Sequence, residues 1–237
     1  MSVTTKDAVI AQGPSRLSLF WMSTVGKKIL MAISGIILFA YVVAHMLGNM
    51  QFYMGKDVIN KYAEFLHWNQ GLLWSARIVL LAAVLIHAIA GIQLWVGKRE
   101  ARPIPYRAKE NIQASAASRT MIWTGAIIAL FIVYHVLDLT TGSAHLPQGS
   151  YVHLDPAVNL SEGFTQPLPV VLYIVAMIAL GFHLWHGVYS MFSTLGLSHP
   201  RYTEGVKRLA AAAATIIALA DISFPVAVFM NLVRYTG

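Results

Sequence analysis

The sequence predicts an all-α integral membrane protein, a bundle of five transmembrane helices. Of its 237 residues, 57% are hydrophobic and only 11% are charged, and the mean hydropathy is +0.61. A hydrocarbon core about 30 Å thick is crossed by about 20 apolar residues in a helix. Five stretches of the chain are long and apolar enough to do this, at about 28–51, 72–97, 119–141, 168–195 and 208–234. We therefore predict one membrane domain over 1–237, preceded by a cytoplasmic arm at 1–27.

The boundaries of the first four segments follow from charges and prolines. The first segment has no charged residue between Ile29 and Met50. The second ends before Lys98, the third begins at Arg119, and the fourth follows Pro167. Basic residues at the ends of an apolar run stay in the interfacial region, so they mark where a spanning helix ends.

The fifth segment begins with the alanine run Ala210–Ala214 and contains Asp221 and Pro225. A proline is tolerated in a membrane helix because neighbouring groups compensate for the lost hydrogen bond, so we predict one kinked helix. An intramembrane acid is a candidate functional residue. Two roles for Asp221 stay open, a pair with Arg77 or a cap on the break before Pro225.

The distribution of basic residues predicts the orientation. Lys and Arg concentrate in 6–28, 98–119 and 201–208, whereas the loop at about 142–167 contains neither. The positive-inside rule then places the N-terminus in the cytoplasm and the C-terminus outside. We expect no cleaved signal peptide in the first 25 residues. The proline-containing loop at 142–167 is expected to be irregular and to act as a lid.

Composition also excludes several kinds of site. The chain has no cysteine, which excludes disulfides, thiolate metal sites and covalent c-type haem attachment. The net charge of +7 is explained by membrane topology, so we predict no nucleic-acid partner.

Four histidines, taken one from each of four apolar segments, form two pairs with matching local sequence. His45 and His135 each follow a hydroxyl–glycine step, Ser34-Gly35 and Thr124-Gly125, by ten residues. His87 and His183 each precede a glycine, Gly91 and Gly187, by four residues. An imidazole is costly in a lipid core unless it binds or relays something.

The predicted depths of these histidines fall at two levels. At 1.5 Å per residue, His45 and His135 lie about 25 and 24 Å from the cytoplasmic end, and His87 and His183 about 15 and 18 Å. We call His45 and His135 the outer pair, and His87 and His183 the inner pair. Two imidazoles from different helices at one depth are the ligands of a bis-histidine haem. The sequence therefore predicts two b haems with these four residues as axial iron ligands.

The glycines and His186 refine this prediction. Gly35 and Gly125 are expected near the inner level, and Gly91 and Gly187 beside the inner ligands, where a missing side chain admits a porphyrin face. His186 shares a helix face with His183, but only His183 reproduces the spacing seen at His87. We therefore assign His183 as the ligand and His186 as a packing residue. Ordinary helix packing by glycines and a buried, hydrogen-bonded imidazole remain the alternative.

Several stretches resemble the dihaem cytochrome b subunit of succinate dehydrogenases and fumarate reductases, in the single-chain five-helix form called the cytochrome b558 family. The resemblance covers nearly the whole chain after residue 20. The stretches that carry it are Gly26-Lys-Lys-Ile-Leu-Met-Ala-Ile-Ser-Gly35, His45-Met-Leu-Gly-Asn49, His87-Ala-Ile-Ala-Gly91, Tyr134-His135 and Gly181-Phe-His-Leu-Trp-His-Gly187.

The resemblance implies a bacterial cytoplasmic-membrane anchor with two b haems, held by the same four histidines. Its implied partners are a flavoprotein subunit and an iron–sulfur subunit on the cytoplasmic side, and a quinone, typically menaquinone. The chain itself then holds no dehydrogenase active site, and the complex can form a higher-order oligomer. One departure concerns proton transfer: some relatives carry a glutamate two residues before the fourth ligand, where this chain has Gly181.

Candidate residues around the cofactors follow from charge and from the resemblance. Arg119 is placed near the inner haem and Arg77 near the outer haem or a quinone, because propionates and carbonyls need cationic partners. The resemblance implies that an acid near Glu64 takes part in quinol chemistry. Ser23 and Lys27 mark a second quinone position on the cytoplasmic side.

Other readings stay open. His67, His145, His153 and His199 are expected at the surface. A cytochrome b anchor of another respiratory dehydrogenase would place two ligands, including His186, on one helix. A haem-free transporter with a histidine relay would be colourless.

Overall fold

The computed structural model describes residues 15–101 and 116–236, and every regular element within these ranges is helical. The helices are α1 (Arg16–Met22), α2 (Thr24–Asn49), a 3₁₀ helix (Met50–Met54), α3 (Lys56–Trp68), α4 (Gln70–Glu100), α5 (Ala116–Leu139), α6 (Pro156–Gly163), α7 (Pro167–Thr194) and α8 (Thr203–Phe229). Five of them, α2, α4, α5, α7 and α8, are long and apolar enough to cross a membrane. The predicted all-α bundle of five spanning helices is confirmed.

Three helix boundaries differ from the predicted ones by four or five residues, and one of them is the start of α8 at Thr203 rather than at 208. The predicted arm at 1–27 contains α1, and α2 already begins at Thr24 because the Ser23 hydroxyl accepts the Gly26 N–H at 2.9 Å. The described part of this arm begins at residue 15, and the basic residues Arg102, Arg107 and Lys109 also lie outside the described residues.

At the other end of the chain, α8 ends at Phe229 rather than near Arg234. Asn231 has a φ of +56°, and the Leu232 N–H donates to the Ala227 carbonyl at 2.8 Å. A left-handed residue with such a bond is a common way to end a helix. Pro225 is buried inside α8 and does not end it.

Four spanning helices surround a common centre. In order around it, α4 packs on α2, α2 on α7 and α7 on α5, while α5 and α4 meet over a shorter length. Helices α2 and α5 therefore face each other across the centre, as do α4 and α7. Helix α8 packs outside this group on α7, where a Cβ on Gly181 would lie 3.2 Å from the Ala218 Cβ. Small residues permit this close helix contact.

A folded cap covers one end of the bundle, which we call the capped end. It consists of the 3₁₀ helix, α3, α6 and the loop between α5 and α7. Its apolar core brings together Phe52, Ile59, Leu160 and Phe164 with residues from the ends of α7 and α8. The expectation of an irregular loop at 142–167 holds for residues 142–155, which form turns and bends, but not for α6, which buries most of its side chains against the bundle.

Hydrogen bonds and an ion pair at Asp155 connect α3 to the start of α6. The Asp155 side chain accepts the Val158 N–H at 3.0 Å and the Asn60 amide at 2.9 Å, and Lys56 Nζ lies 3.4 Å from its second oxygen. The C-terminal tail adds another link, since the Tyr235 N–H donates to Ser161 Oγ at 2.9 Å.

We expect the stability of the cap to fall in acid. Burial raises the pKa of Asp155, but bonds from Val158 and Asn60 and the charge of Lys56 outweigh it, so the pKa lies below its ordinary value. A lowered carboxyl pKa contributes stability above the unfolded value, about 3.9, and this is lost as the pH falls through the folded pKa. Thermal unfolding of wild type and Asp155→Asn should therefore differ most near neutral pH and converge in acid. A constant difference over that range would contradict the assignment.

Candidate functional site

The four predicted ligand histidines meet in two pairs at the bundle centre. The rings of His45 on α2 and His135 on α5 have centroids 5.7 Å apart and planes at 90°. The rings of His87 on α4 and His183 on α7 have centroids 6.1 Å apart and planes at 58°. Each pair joins helices on opposite sides of the centre, and the partners are those that the sequence depths brought together.

The inner histidine of α4 is oriented by α2. His87 Nδ1 lies 3.1 Å from the Met31 carbonyl oxygen and 3.3 Å from Ser34 Oγ. A carbonyl only accepts, so Nδ1 carries the proton and Nε2 keeps its lone pair. Ser34 Oγ itself donates to the Leu30 carbonyl at 2.7 Å, which turns its lone pairs toward the ring.

The inner histidine of α7 is held in the same manner by α5. His183 Nδ1 lies 3.2 Å from Thr124 Oγ1, which also lies 3.1 Å from the Thr120 carbonyl of its own helix. The adjoining glycines let the rings approach: a Cβ on Gly35 would lie 3.4 Å from His87 Cε1, and one on Gly125 would lie 3.6 Å from His183 Cε1. The two hydroxyl–glycine steps thus lie at the inner level, against the imidazoles of the neighbouring helices α4 and α7.

The outer pair lies next to the cap. His135 Nδ1 is 3.1 Å from the Tyr173 hydroxyl, and the His45 ring stacks on Tyr41 with centroids 5.4 Å apart. A cavity of about 180 Å³ opens beside both histidines. Its wall combines α2 and α5 with α6 of the cap, through Asn49, Thr140 and Asn159 among others.

The pairs fit a metal that receives its other ligands from a macrocycle. An imidazole–metal bond is about 2 Å long, so one ion between two Nε2 atoms places the ring centroids about 6 Å apart, as observed in both pairs. Within 15–101 and 116–236, no three His, Cys, Asp or Glu side chains converge to hold an ion alone. Two axial imidazoles without further protein ligands are the donor set of a b haem.

The other two glycines border space of different size. A Cβ on Gly187 would meet no atom within 4 Å, whereas one on Gly91 would lie 3.8 Å from Met31 Sδ. A side chain at Gly187 would therefore enter open space, whereas one at Gly91 would be in van der Waals contact with Met31.

The predicted cationic residues occupy peripheral positions. The Arg77 guanidinium lies 5.0 Å from the Trp74 ring centroid, near the capped end of α4. Arg119 is exposed at the start of α5. Asp221 is partly buried on α8, and among the described residues no ion pair joins it to Arg77.

The three predicted quinone residues do not converge. Glu64 is exposed on α3 in the cap. Ser23 and Lys27 lie near the opposite end of the bundle, where the Ser23 hydroxyl donates to the Phe20 carbonyl at 2.8 Å and caps α2. They therefore describe two separate places rather than one site.

A buried polar cluster beside the outer pair was not predicted from the sequence. His145 Nδ1 lies 2.7 Å from Asp138 Oδ1, and the Tyr173 hydroxyl donates to Asp138 Oδ2 at 2.9 Å. His145 is 2% exposed, so its expected surface position is wrong. The available signal was Asp138 itself, an acid within an apolar segment and three residues after His135.

Comparison with known families matches residues 98–220, more than half of the chain, to the succinate dehydrogenase/fumarate reductase transmembrane subunit. The chain belongs to this family. The match includes α5 and α7 with His135 and His183, and the part of α8 that packs on α7. This anchor subunit is thus a multi-pass membrane protein of a complex with other succinate dehydrogenase subunits. Searches of curated proteins and of solved structures found no match.

Proposed function

We propose that this anchor subunit is a dihaem cytochrome b of the b558 type. The observation that carries the proposal is the geometry of the two histidine pairs, whose centroid separations of 5.7 and 6.1 Å suit one iron each. Three of the four imidazoles have a hydrogen-bond partner at Nδ1, which leaves Nε2 for the metal. Such partners are the usual support of metal-bound histidine.

In this proposal, His87 and His183 hold the inner haem, and His45 and His135 hold the outer haem. When bound, the haems supply one-electron redox centres between an iron–sulfur subunit and a membrane quinone. Ser34 and Thr124 keep the inner rings in one tautomer, and Gly35 and Gly125 allow those rings to lie close to the neighbouring helices α2 and α5. Arg119 and Arg77 are the proposed cationic partners of the propionates at the two ends.

We place the quinone at the capped end, and propose that it is menaquinone. The cavity beside His45 and His135 offers the polar side chains of Asn49, Thr140 and Asn159 for its carbonyl oxygens. Glu64, exposed on the same cap, is the proposed acid that exchanges protons with water. Ser23 caps a helix and lies with Lys27 near the other end of the bundle, so that position is less well supported.

The proposed orientation puts the capped end outside the bacterial cytoplasmic membrane and the flavoprotein and iron–sulfur subunits at the other end. Helix α7 offers no carboxylate at Gly181, where Ala218 of α8 leaves little space for a side chain. We therefore propose that no proton crosses the membrane through a carboxylate at this position.

The experiment is purification of the complex through a tag on this chain, followed by two assays. We expect a flavoprotein and an iron–sulfur subunit to copurify, and succinate to reduce both a menaquinone analogue and a soluble artificial acceptor. His45→Ala should lose menaquinone reduction but keep the soluble assay, while His153→Ala, at an exposed position of the cap, should keep both. Copurification of a formate or hydrogen dehydrogenase would contradict the proposal, and a colourless chain without partners would favour the histidine-relay transporter.

A further inference from the structure

The two histidine pairs differ in the group at the end of their hydrogen bonds. The inner imidazoles donate to neutral acceptors, the Met31 carbonyl and the hydroxyls of Ser34 and Thr124. The outer imidazole of His135 instead contacts the Tyr173 hydroxyl, which leads to the carboxylate of Asp138. Among the residues that the structure describes, only the outer pair is linked in this way to a group that can carry a negative charge.

The single proton of Tyr173 determines the direction of the outer bonds. The hydroxyl donates to Asp138 Oδ2 at 2.9 Å, so its oxygen accepts from His135 Nδ1–H at 3.1 Å. His135 Nε2 then keeps the lone pair that a metal requires. The result is a chain of two bonds from the carboxylate to the imidazole, Asp138 to Tyr173 to His135.

The carboxylate is held in one place by the cap. Asp138 is 1% exposed, and its second oxygen lies 2.7 Å from Nδ1 of the equally buried His145. The His145 ring is in turn confined by the cap, since a Cβ on Gly163 would lie 3.0 Å from its Cε1. In such a low-dielectric site, a fixed charge acts strongly on the bonds that it receives.

We propose that Asp138 is a positioning residue for the outer centre, which acts on His135 through Tyr173 and lowers the reduction potential of that centre alone. This inference rests on the proposed dihaem function. A carboxylate at the end of the chain makes the imidazole a stronger electron donor, which favours the oxidised metal. Within 15–101 and 116–236 no such hydrogen-bond chain reaches the inner centre, so this single residue makes the two centres unequal.

The test is a potentiometric titration of the haem spectrum in the purified complex. Asp138→Asn and Tyr173→Phe should each raise the midpoint potential of the same single haem by about 59 mV. For a one-electron reduction this corresponds to about a tenfold change in the equilibrium constant. Because both residues act along one hydrogen-bond chain, the shift in the double variant should equal that in Tyr173→Phe rather than the sum of the two single shifts. The matched control Thr124→Val, which removes the partner of His183, should move only the other haem.

Each outcome decides the inference. Equal shifts of both haems, no shift in Tyr173→Phe, or additive shifts in the double variant would overturn it. Tyr173→Phe leaves the Asp138–His145 pair intact, so it still decides the question if Asp138→Asn fails to assemble. A wild-type complex without haem would instead refute the proposed function, and so the two failures are distinguishable.

Discussion

The His183→Ala variant is expected to lose one of the two haems, whereas His186→Ala should keep both. His183 faces His87 with ring centroids 6.1 Å apart, and its Nδ1 lies 3.2 Å from Thr124. His186 lies three residues further along α7, and no described imidazole forms such a pair with it. Removing an axial imidazole removes half of the protein ligands of that centre.

The measurement is a haem content per chain, taken with the reduced-minus-oxidised spectrum of the purified complex. His186→Ala is the matched control because it removes the same chemical group from the same helix. Retention of both haems in His183→Ala, or loss of one in His186→Ala, would contradict the ligand assignment and favour the scheme with two ligands on one helix.

The second large effect is expected from His145→Ala, which should loosen the cap. The substitution leaves the Asp138 carboxylate buried with Tyr173 as its remaining partner. Loss of one partner costs about 1–3 kcal/mol where it leaves a buried hydrogen-bonding group unsatisfied, and about 3–5 kcal/mol where it breaks a buried ion pair. We therefore expect a lower thermal unfolding temperature and faster proteolysis within the loop between α5 and α7.

His153→Ala is the control, since His153 lies in the same loop but is exposed. Its unfolding temperature and proteolysis should stay close to those of wild type. Equal stability of His145→Ala and His153→Ala would show that the buried contact with Asp138 does not hold the cap.

The five spanning helices could be predicted because length and apolarity alone specify them. The pairing of the histidines followed from a simple count, since a regular helix converts residue number into depth at 1.5 Å per residue. His45 and His135 are each four residues from the end of a spanning helix at the capped end, and they meet there. Counting of this kind works only where both elements are continuous helices.

The role of the hydroxyl–glycine steps could be predicted only in part. The count placed Gly35 and Gly125 at the inner level, but depth does not reveal which side chains face each other. In the structure their neighbours Ser34 and Thr124 contact His87 and His183, which lie on other helices. Contacts between helices depend on rotation about the helix axis, which the spacing along one helix leaves open.

The cluster around Asp138 could not be predicted from spacing. His145 lies in a loop, and Tyr173 is 35 residues further along the chain than Asp138. These side chains meet because the loop folds back over the end of α5 and packs beneath α6. Loop conformation depends on tertiary packing, which has no periodic signal in the sequence.

The central claim is that this chain holds two bis-histidine b haems, and haem quantification of the wild-type complex tests it most directly. The complex would be purified with its membrane partners, and its b-type spectrum and haem content would be measured against protein. We expect two b haems per chain. One haem per chain, or none, in a complex that retains its partner subunits would contradict the account.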